Sequence, residues 1–163
     1  MNEKPVRKRN RLSSDIYRLP GAYFITICTR DRKCLFRVNS EPEALPDMPL
    51  TSLGTQVEKQ LLQIMSGYGP SLNLEKYVIM PNHVHLLLVT HPDADRACPD
   101  IRYVIRFFKR NVSLTTGRSL WQKGFHDHIV RNDEEYRMIW KYIDENPLKW
   151  CLDKYFPSND QTP

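Results

Sequence analysis

Two histidines separated by a single residue form the most informative chemical pattern in the chain. His83 and His85 enclose Val84 at the start of an apolar run that ends at Val89. A run of this length predicts a β-strand, in which alternate side chains point to the same face of the sheet. The two imidazoles are therefore expected side by side on one face, where they can bind one divalent metal ion.

This spacing alone does not identify a protein class, because it also occurs in barrel-fold metal hydrolases, in cupins and by chance. A (β/α)₈ barrel usually needs about 250 residues, whereas this chain has 163. A cupin needs more strands than the sequence predicts. A second pair, His126 and His128, lies close to Trp121 and Arg131. Its imidazoles can act in catalysis, form structural hydrogen bonds or contact a nucleic acid.

Tyr142 is the candidate nucleophile in the last predicted helix. At about 100° per residue, Tyr136 falls inside an apolar stripe, whereas Tyr142 lies on its flank. The other members of the stripe are Ile139, Trp140 and Ile143. Asn146 follows Tyr142 by one turn on the same flank, and its amide oxygen can bind a metal. If the stripe packs on the histidine face through Leu87, these polar groups meet around one ion.

The elements that must position these residues follow from hydrophobic periodicity and capping signals. Their order, β-α-β-β-α-β-α, predicts an α+β sandwich with an antiparallel sheet. The predicted strands span residues 22–29, 72–80, 83–89 and 125–131, with a turn at Pro81 and Asn82 between the second and third. The predicted helices span 51–66, 101–115 after Asp100, and a last one that follows Asn132 and ends before Pro147.

Basic residues are concentrated in two places, and the chain carries a net charge of +5. The first cluster lies in the N-terminal residues and predicts either a phosphate-binding arm or a solvated tail. The second lies on one side of a helix and predicts a DNA-binding surface or a solvated face. The candidate DNA contacts are Arg7, Lys8, Arg9 and Arg11 in the arm, Arg102, Arg106, Lys109 and Arg110 on the helix, and His128.

We expect a cytosolic protein that does not interact with membranes. No apolar run approaches the roughly 18 residues that a membrane span needs, and the N-terminus is basic rather than apolar. The four cysteines form no C-x-x-C pair, so free thiols are expected rather than a zinc knuckle. The expected organisation is a basic arm (1–20), a catalytic domain (21–150) and a C-terminal tail (151–163).

The combination of motifs resembles the REP-associated tyrosine transposases, which belong to the HUH class. The resemblance rests on MPNHVH at residues 80–85, WQKGFHDH at 121–128 and YIDENP at 142–147. Upstream, GAYFIT at residues 21–26 and RDR at 30–32 also fit. Each piece is weak, but the combination in this order is specific and spans about residues 11 to 150.

This resemblance implies a ferredoxin-like or RRM-like core with an added C-terminal helix that carries the tyrosine. His83 and His85 would be the metal-binding pair, Tyr142 the nucleophile and Asn146 a third ligand. The partner would be single-stranded DNA with hairpins. With Mg²⁺ or Mn²⁺ bound, Tyr142 would form a 5′-phosphotyrosine. Both a monomer and a homodimer are compatible with this reading.

Three alternatives stay open at the level of sequence. A non-catalytic RRM-like module would share the basic arm, although the chain contains no RNP-type run of basic, glycine and aromatic residues. A metal hydrolase of small molecules would form no DNA adduct and would have no use for the arm. A nickase of the replication-initiator or relaxase type would share the histidines and the tyrosine.

Overall fold

The computed structural model describes residues 16–38, 48–93 and 97–155. Within these residues it confirms the predicted α+β fold and the predicted order of elements. The strands are β1 (Gly21–Cys28), β2 (Leu72–Ile79), β3 (His83–Thr90) and β4 (His126–Val130). The helices are α1 (Ser52–Ser66), α2 (Ile101–Thr116) and α3 (Asp133–Glu145), and a 3-10 segment (Pro147–Leu152) follows α3.

The strands form one antiparallel sheet in the order β2-β3-β1-β4. Together with the helices between β1 and β2 and between β3 and β4, this is the ferredoxin-like β-α-β-β-α-β arrangement. β3 lies in the interior of the sheet, where it pairs with β1 and β2. The histidines are therefore held by a strand that is hydrogen-bonded on both sides, which makes their backbone rigid.

One face of the sheet packs against α1 and α2 and forms the larger core. Val84, Leu86 and Leu88 point to this face and are fully buried, as the alternation of β3 predicts. α1 approaches the chain closely at Gly54, where an added Cβ would lie 2.1 Å from the carbonyl oxygen of Phe36. Any residue with a Cβ would therefore clash with the Phe36 backbone at this position, so glycine is required there.

The opposite face packs against α3 and the 3-10 segment. The shared core contains Leu87 from β3, Ile143 from α3 and Trp150 from the 3-10 segment. α3 begins as predicted, because Asn132 Oδ1 accepts a hydrogen bond from the backbone nitrogen of Glu135 at 2.8 Å. The sheet therefore separates α3 and the histidines from α1 and α2.

The residues just before β1 are packed on the domain. Tyr17 is 2% exposed, and the hydroxyl of Tyr23 donates to the carbonyl oxygens of Ile16 and Leu19. The predicted arm residues Arg7, Lys8, Arg9 and Arg11 lie outside the described residues.

The four cysteines are free thiols, as expected. Among the helices described above, none has both the length and the apolar character that a membrane crossing requires.

Candidate metal centre and nucleophile

The two imidazoles of β3 face each other at the surface of the sheet that α3 covers. The Nε2 atoms of His83 and His85 lie 3.0 Å apart, and the two side chains are 0% and 1% exposed. Two ligand atoms about 2.1 Å from an ion and at right angles to each other are also separated by about 3.0 Å. The spacing therefore fits two neighbouring ligands of one octahedral cation.

Asn82 determines which nitrogen of His83 carries the proton. The side-chain nitrogen of Asn82 donates to the carbonyl oxygens of Arg32 and Tyr155, at 3.1 and 2.7 Å. Its Oδ1 is thereby turned towards His83 Nδ1, 2.8 Å away. Because an amide oxygen only accepts, Nδ1 carries the hydrogen and Nε2 presents a lone pair. His83 is thus held in the form in which its Nε2 can bind a metal.

Thr26 makes the corresponding contact to the other histidine. Its Oγ1 lies 2.8 Å from Nδ1 of His85. A hydroxyl both donates and accepts, so Thr26 is compatible with either tautomer. When no ion is bound, Nε2–H of His85 can donate to His83. When an ion requires both Nε2 lone pairs, the proton moves to Nδ1 and Thr26 accepts it.

Burial keeps both histidines neutral. It lowers the pKa of His83 to about 4, although the nearby Asp153 carboxylate opposes this shift. It also lowers the pKa of His85 well below the ordinary value, and the neighbouring His83 adds to the effect. Neutral imidazole is the metal-binding form, so at neutral pH neither side chain has to lose a proton before it binds.

Asp153 is a third potential ligand, and the sequence did not indicate it. Its Oδ2 lies 3.9 Å from Nε2 of His83, and the ligand atoms of His83, His85 and Asp153 all lie within 4.8 Å of one another. The Asp153 side chain is 2% exposed. In the part of the chain that the structure describes, no lysine or arginine nitrogen lies within 4.0 Å of this carboxylate. A buried carboxylate without a cation is costly, so the group suits a bound divalent ion.

Tyr142 reaches the same centre from α3, within a single chain. Its hydroxyl lies 3.5 Å from Nε2 of His85 and donates to Oδ2 of Asp153 at 3.3 Å. Burial and the charge of Asp153 raise the pKa of this phenol, whereas a hydrogen bond with Asn146 lowers it. The phenol is therefore protonated at neutral pH until a base or a cation acts on it. With 40% of the residue exposed, a substrate can still reach it.

Asn146, the predicted third ligand, lies next to Tyr142 and is 2% exposed. Its Oδ1 is buried and makes no hydrogen bond to any described residue. An unsatisfied buried acceptor costs about 1–3 kcal/mol, and a metal ion would satisfy it. The donor set of this centre, two imidazoles with a carboxylate and an amide oxygen, fits a divalent metal ion. The ligand role of Asn146 stays a prediction.

The predicted basic surface of α2 does not join this centre, because α2 lies on the other face of the sheet. Arg106 and Arg110 are exposed there. Arg102 donates to the carboxylate of Asp100, at 2.6 and 3.0 Å. Lys109 donates to the carbonyl oxygens of residues 122 and 124. Arg102 and Lys109 therefore make internal contacts, and the DNA-binding role of the four basic residues stays a prediction.

The second histidine pair lies on β4, on the same face as the metal centre. His126 and His128 are both exposed. Nε2 of His128 lies 2.6 Å from Oε1 of Glu135, at the start of α3. The ring centroid of His126 lies 6.1 Å from that of Tyr155. Neither is part of the metal-ligand cluster, whereas His128 lines a cavity next to Tyr142.

Comparison with known proteins confirms the resemblance that the motifs indicate. No protein-family model matches the chain. An uncharacterized protein of Haemophilus influenzae is 29% identical over 174 residues, which cover 92% of this chain and 93% of that protein. A REP-associated tyrosine transposase of Escherichia coli is 31% identical over 77 residues, which cover 47% of this chain and 44% of that protein.

A solved structure of a REP-associated tyrosine transposase bound to a REP hairpin has a similar fold. It matches 94% of this chain and 77% of the solved chain, with a TM-score of 0.60 and 22% identity. The chain is therefore similar in sequence to a REP-associated tyrosine transposase over about half of its length, and it shares the fold of one over almost all of the chain.

Proposed function

We propose that the chain is a metal-dependent tyrosine transposase of the REP-associated type, which cuts and rejoins single-stranded DNA that carries hairpins. One observation carries this proposal: the Tyr142 hydroxyl lies 3.5 Å from Nε2 of His85, on the face where two neutral imidazoles converge. The sequence similarity to a REP-associated tyrosine transposase and the shared fold support it.

His83 and His85, with Asp153 or Asn146, would hold the Mg²⁺ or Mn²⁺ ion. A bound ion of this kind draws charge from the scissile phosphate and orients it. Asn82 and Thr26 would keep the two Nε2 lone pairs directed at the ion.

Tyr142 would attack the phosphorus through its phenolic oxygen. A bond forms between this oxygen and phosphorus, and the bond from phosphorus to the 3′ oxygen breaks. The products are a 5′-phosphotyrosine and a free 3′-OH, which takes its proton from water. The covalent intermediate retains the energy of the phosphodiester, so another 3′-OH can attack it and restore the tyrosine.

Asp153 is the natural acceptor for the phenolic proton, because the Tyr142 hydroxyl already donates to it at 3.3 Å. The pKa of Tyr142 is raised by burial and by this carboxylate, so the phenol needs a positioned base. The basic residues before Ile16 would serve as a DNA-binding arm. The proposed catalytic domain extends beyond residue 150, because Asp153 contacts both His83 and Tyr142.

The test is covalent capture of the tyrosine. A hairpin oligonucleotide with single-stranded flanks is selected for binding from a pool with randomised flanks and is then incubated with the protein and Mn²⁺. We expect a denaturation-resistant adduct in which mass spectrometry places the nucleotide on Tyr142. Tyr142→Phe should abolish the adduct and preserve binding, whereas Tyr136→Phe in the same helix should preserve both. An unchanged adduct in Tyr142→Phe contradicts the proposal, and binding without any adduct favours a non-catalytic module.

A further inference from the structure

A cavity of about 600 Å³ opens beside the metal centre. It lies between α3, the sheet surface formed by β1 and β4, and the 3-10 segment with the two residues after it. Its walls combine apolar side chains with a polar end and a basic rim. Such a combination is typical of a site for a flat, partly polar ligand.

The cavity and the metal centre share residues. Tyr142, Asn146 and Asp153 line the cavity, and the Tyr142 hydroxyl also lies 3.5 Å from Nε2 of His85. A base is separated from its own phosphate by only one sugar. A phosphodiester that is placed for attack by Tyr142 therefore positions a neighbouring base at the mouth of this cavity. A base in the cavity and the phosphodiester attacked by Tyr142 would thus belong to the same DNA strand.

The apolar wall offers surfaces on which a base can stack. Phe24 is stacked on His85 with ring centroids 5.1 Å apart, and it meets Tyr142 edge-on at 5.9 Å. Met138 and Leu152 line the same cavity and are 59% and 82% exposed. Flipped or single-stranded bases bind between aromatic and apolar side chains of this kind.

The polar end offers a fixed hydrogen-bonding group. Glu135 Oε1 lies 2.6 Å from Nε2 of His128, and its Oε2 accepts from the backbone nitrogen of Arg131 at 2.6 Å. Because the held carboxylate only accepts, Nε2 of His128 carries the hydrogen of this bond, which leaves Nδ1 as the ring nitrogen that can accept one. Among residues 16–38, 48–93 and 97–155, the structure gives Nδ1 no hydrogen-bond partner. It can therefore accept from an N–H group on a base edge.

Charge at the rim fits a nucleic-acid strand. Lys149 and Lys154 line the cavity on the side of the 3-10 segment and are exposed. Lys149 is paired with Glu145 at 2.6 Å. In the described part of the chain, Lys154 has no carboxylate within 4.0 Å, and its ammonium lies 4.9 Å from the centroid of the Tyr155 ring. It is available to a backbone phosphate.

We propose that this cavity binds one base of the DNA strand being cut, adjacent to the scissile phosphate. The base stacks against Phe24 and Met138 and donates an N–H to Nδ1 of His128. This inference rests on the proposed function and adds a base-binding subsite to it. The enzyme would thereby discriminate at one position of the cleaved strand through its own side chains.

The test measures binding without cutting, so it is independent of catalysis. The selected hairpin oligonucleotide is labelled, and its affinity for the full chain is measured by fluorescence anisotropy in EDTA. Each position of the single-stranded flank is then replaced in turn by an abasic site. We expect one position to weaken binding by about 5- to 100-fold, the range that the loss of one stacked base gives. In the adduct assay, that position should be next to the cleavage site.

Met138→Ala and His128→Gln identify where that base binds. Both should weaken binding of the intact oligonucleotide and have little further effect on the abasic one, because the partner of each side chain is already missing. Leu114→Ala is the matched control, since Leu114 is 67% exposed on α2, a helix on the other face of the sheet. Leu114→Ala should change neither the affinity for the intact oligonucleotide nor the affinity for the abasic one.

Equal losses on both oligonucleotides, or no loss on either, would overturn the cavity assignment even if Tyr142 forms the adduct. A protein or peptide ligand for the cavity also predicts no loss. The opposite result is also informative. If no adduct forms but Met138→Ala and His128→Gln still weaken binding of the intact oligonucleotide alone, the proposed strand transfer is wrong and the base-binding site is retained.

Discussion

Oγ1 of Thr26 lies 2.8 Å from Nδ1 of His85, across the pair of neighbouring strands β1 and β3. Thr26→Val keeps the shape and the strand propensity of the side chain but leaves Nδ1 buried without this partner. We expect Mn²⁺ affinity, measured by isothermal titration calorimetry, to fall by about 10- to 100-fold, as is usual when the hydrogen bond behind a metal-bound histidine is lost.

Thr26→Ser is the matched control, because it restores the hydroxyl and should recover most of the affinity. Unchanged unfolding free energy in both variants would show that the effect belongs to the metal centre. If Thr26→Val binds Mn²⁺ as tightly as the original protein, Thr26 does not position His85.

Asp153→Asn should reduce both metal affinity and adduct formation. The substitution keeps the size of the side chain but removes the negative charge that lies 3.9 Å from His83 Nε2 and accepts from the Tyr142 hydroxyl. Loss of a general base typically slows a reaction by about 100-fold or more. Quenched-flow measurement of adduct formation at saturating Mn²⁺ separates this effect from weaker metal binding.

Asp144→Asn provides the comparison, since Asp144 is exposed and pairs with Lys76 on the surface. It should leave Mn²⁺ affinity and the rate unchanged. A normal rate in Asp153→Asn at saturating Mn²⁺ would assign the base to another group.

The stability of the protein without added metal should fall as the pH is lowered from about 6.5 to 4. The folded protein holds the pKa of His83 at about 4, below its ordinary value of 6.5, because the ring is buried. In this window the unfolded chain binds the proton and the folded one does not, so protonation favours unfolding. About one pH unit above 6.5, the ring is neutral in both states and the full stability is present. The loss for His83 alone is about 3 kcal/mol.

Urea denaturation at pH 7.5 and pH 4.5 measures this difference. His83→Gln should flatten the dependence, whereas Gln56→Ala should not, because Gln56 is exposed and its removal takes away no titratable group. If the unfolding free energy of the His83→Gln variant depends on pH as steeply as that of the original protein, a group other than His83 causes the dependence.

Gly54→Ala should destabilise the fold, although alanine favours a helix by about 1 kcal/mol over glycine. The new Cβ would lie 2.1 Å from the carbonyl oxygen of Phe36, so the backbone must move. We expect a loss of about 1–3 kcal/mol in unfolding free energy. Gln56→Ala, at an exposed position of the same helix, should change it by less than about 0.5 kcal/mol. A neutral Gly54→Ala would show that the two segments can separate at no cost.

Local signals explain why the elements could be predicted from the sequence. Thr51, Asp100 and Asn132 each cap a helix through a hydrogen bond to a backbone nitrogen a few residues later, and the signal is contained within one turn. The alternation in β3 likewise identifies the face of His83 and His85. These patterns depend only on neighbours in the chain.

The role of Asp153 could not be predicted in the same way. Its position next to His83 follows from the 3-10 segment that begins at Pro147 and turns the chain back, and no spacing rule encodes that turn. The spacing of Arg102 and Lys109 correctly placed both on α2. It could not reveal that their acceptors are Asp100 and the backbone carbonyls of the segment leading to β4.

For the proposed DNA substrate the sheet has a mechanical consequence, because the arginines of α2 and the imidazoles of β3 lie on its opposite sides. A straight double helix that lies along one face of the sheet does not also lie along the opposite face. A molecule that reaches both must bend sharply where it passes the edge of the sheet, and a stem joined to a pliable unpaired strand has such a joint. The shape of the domain would then disfavour fully paired DNA before any base is read.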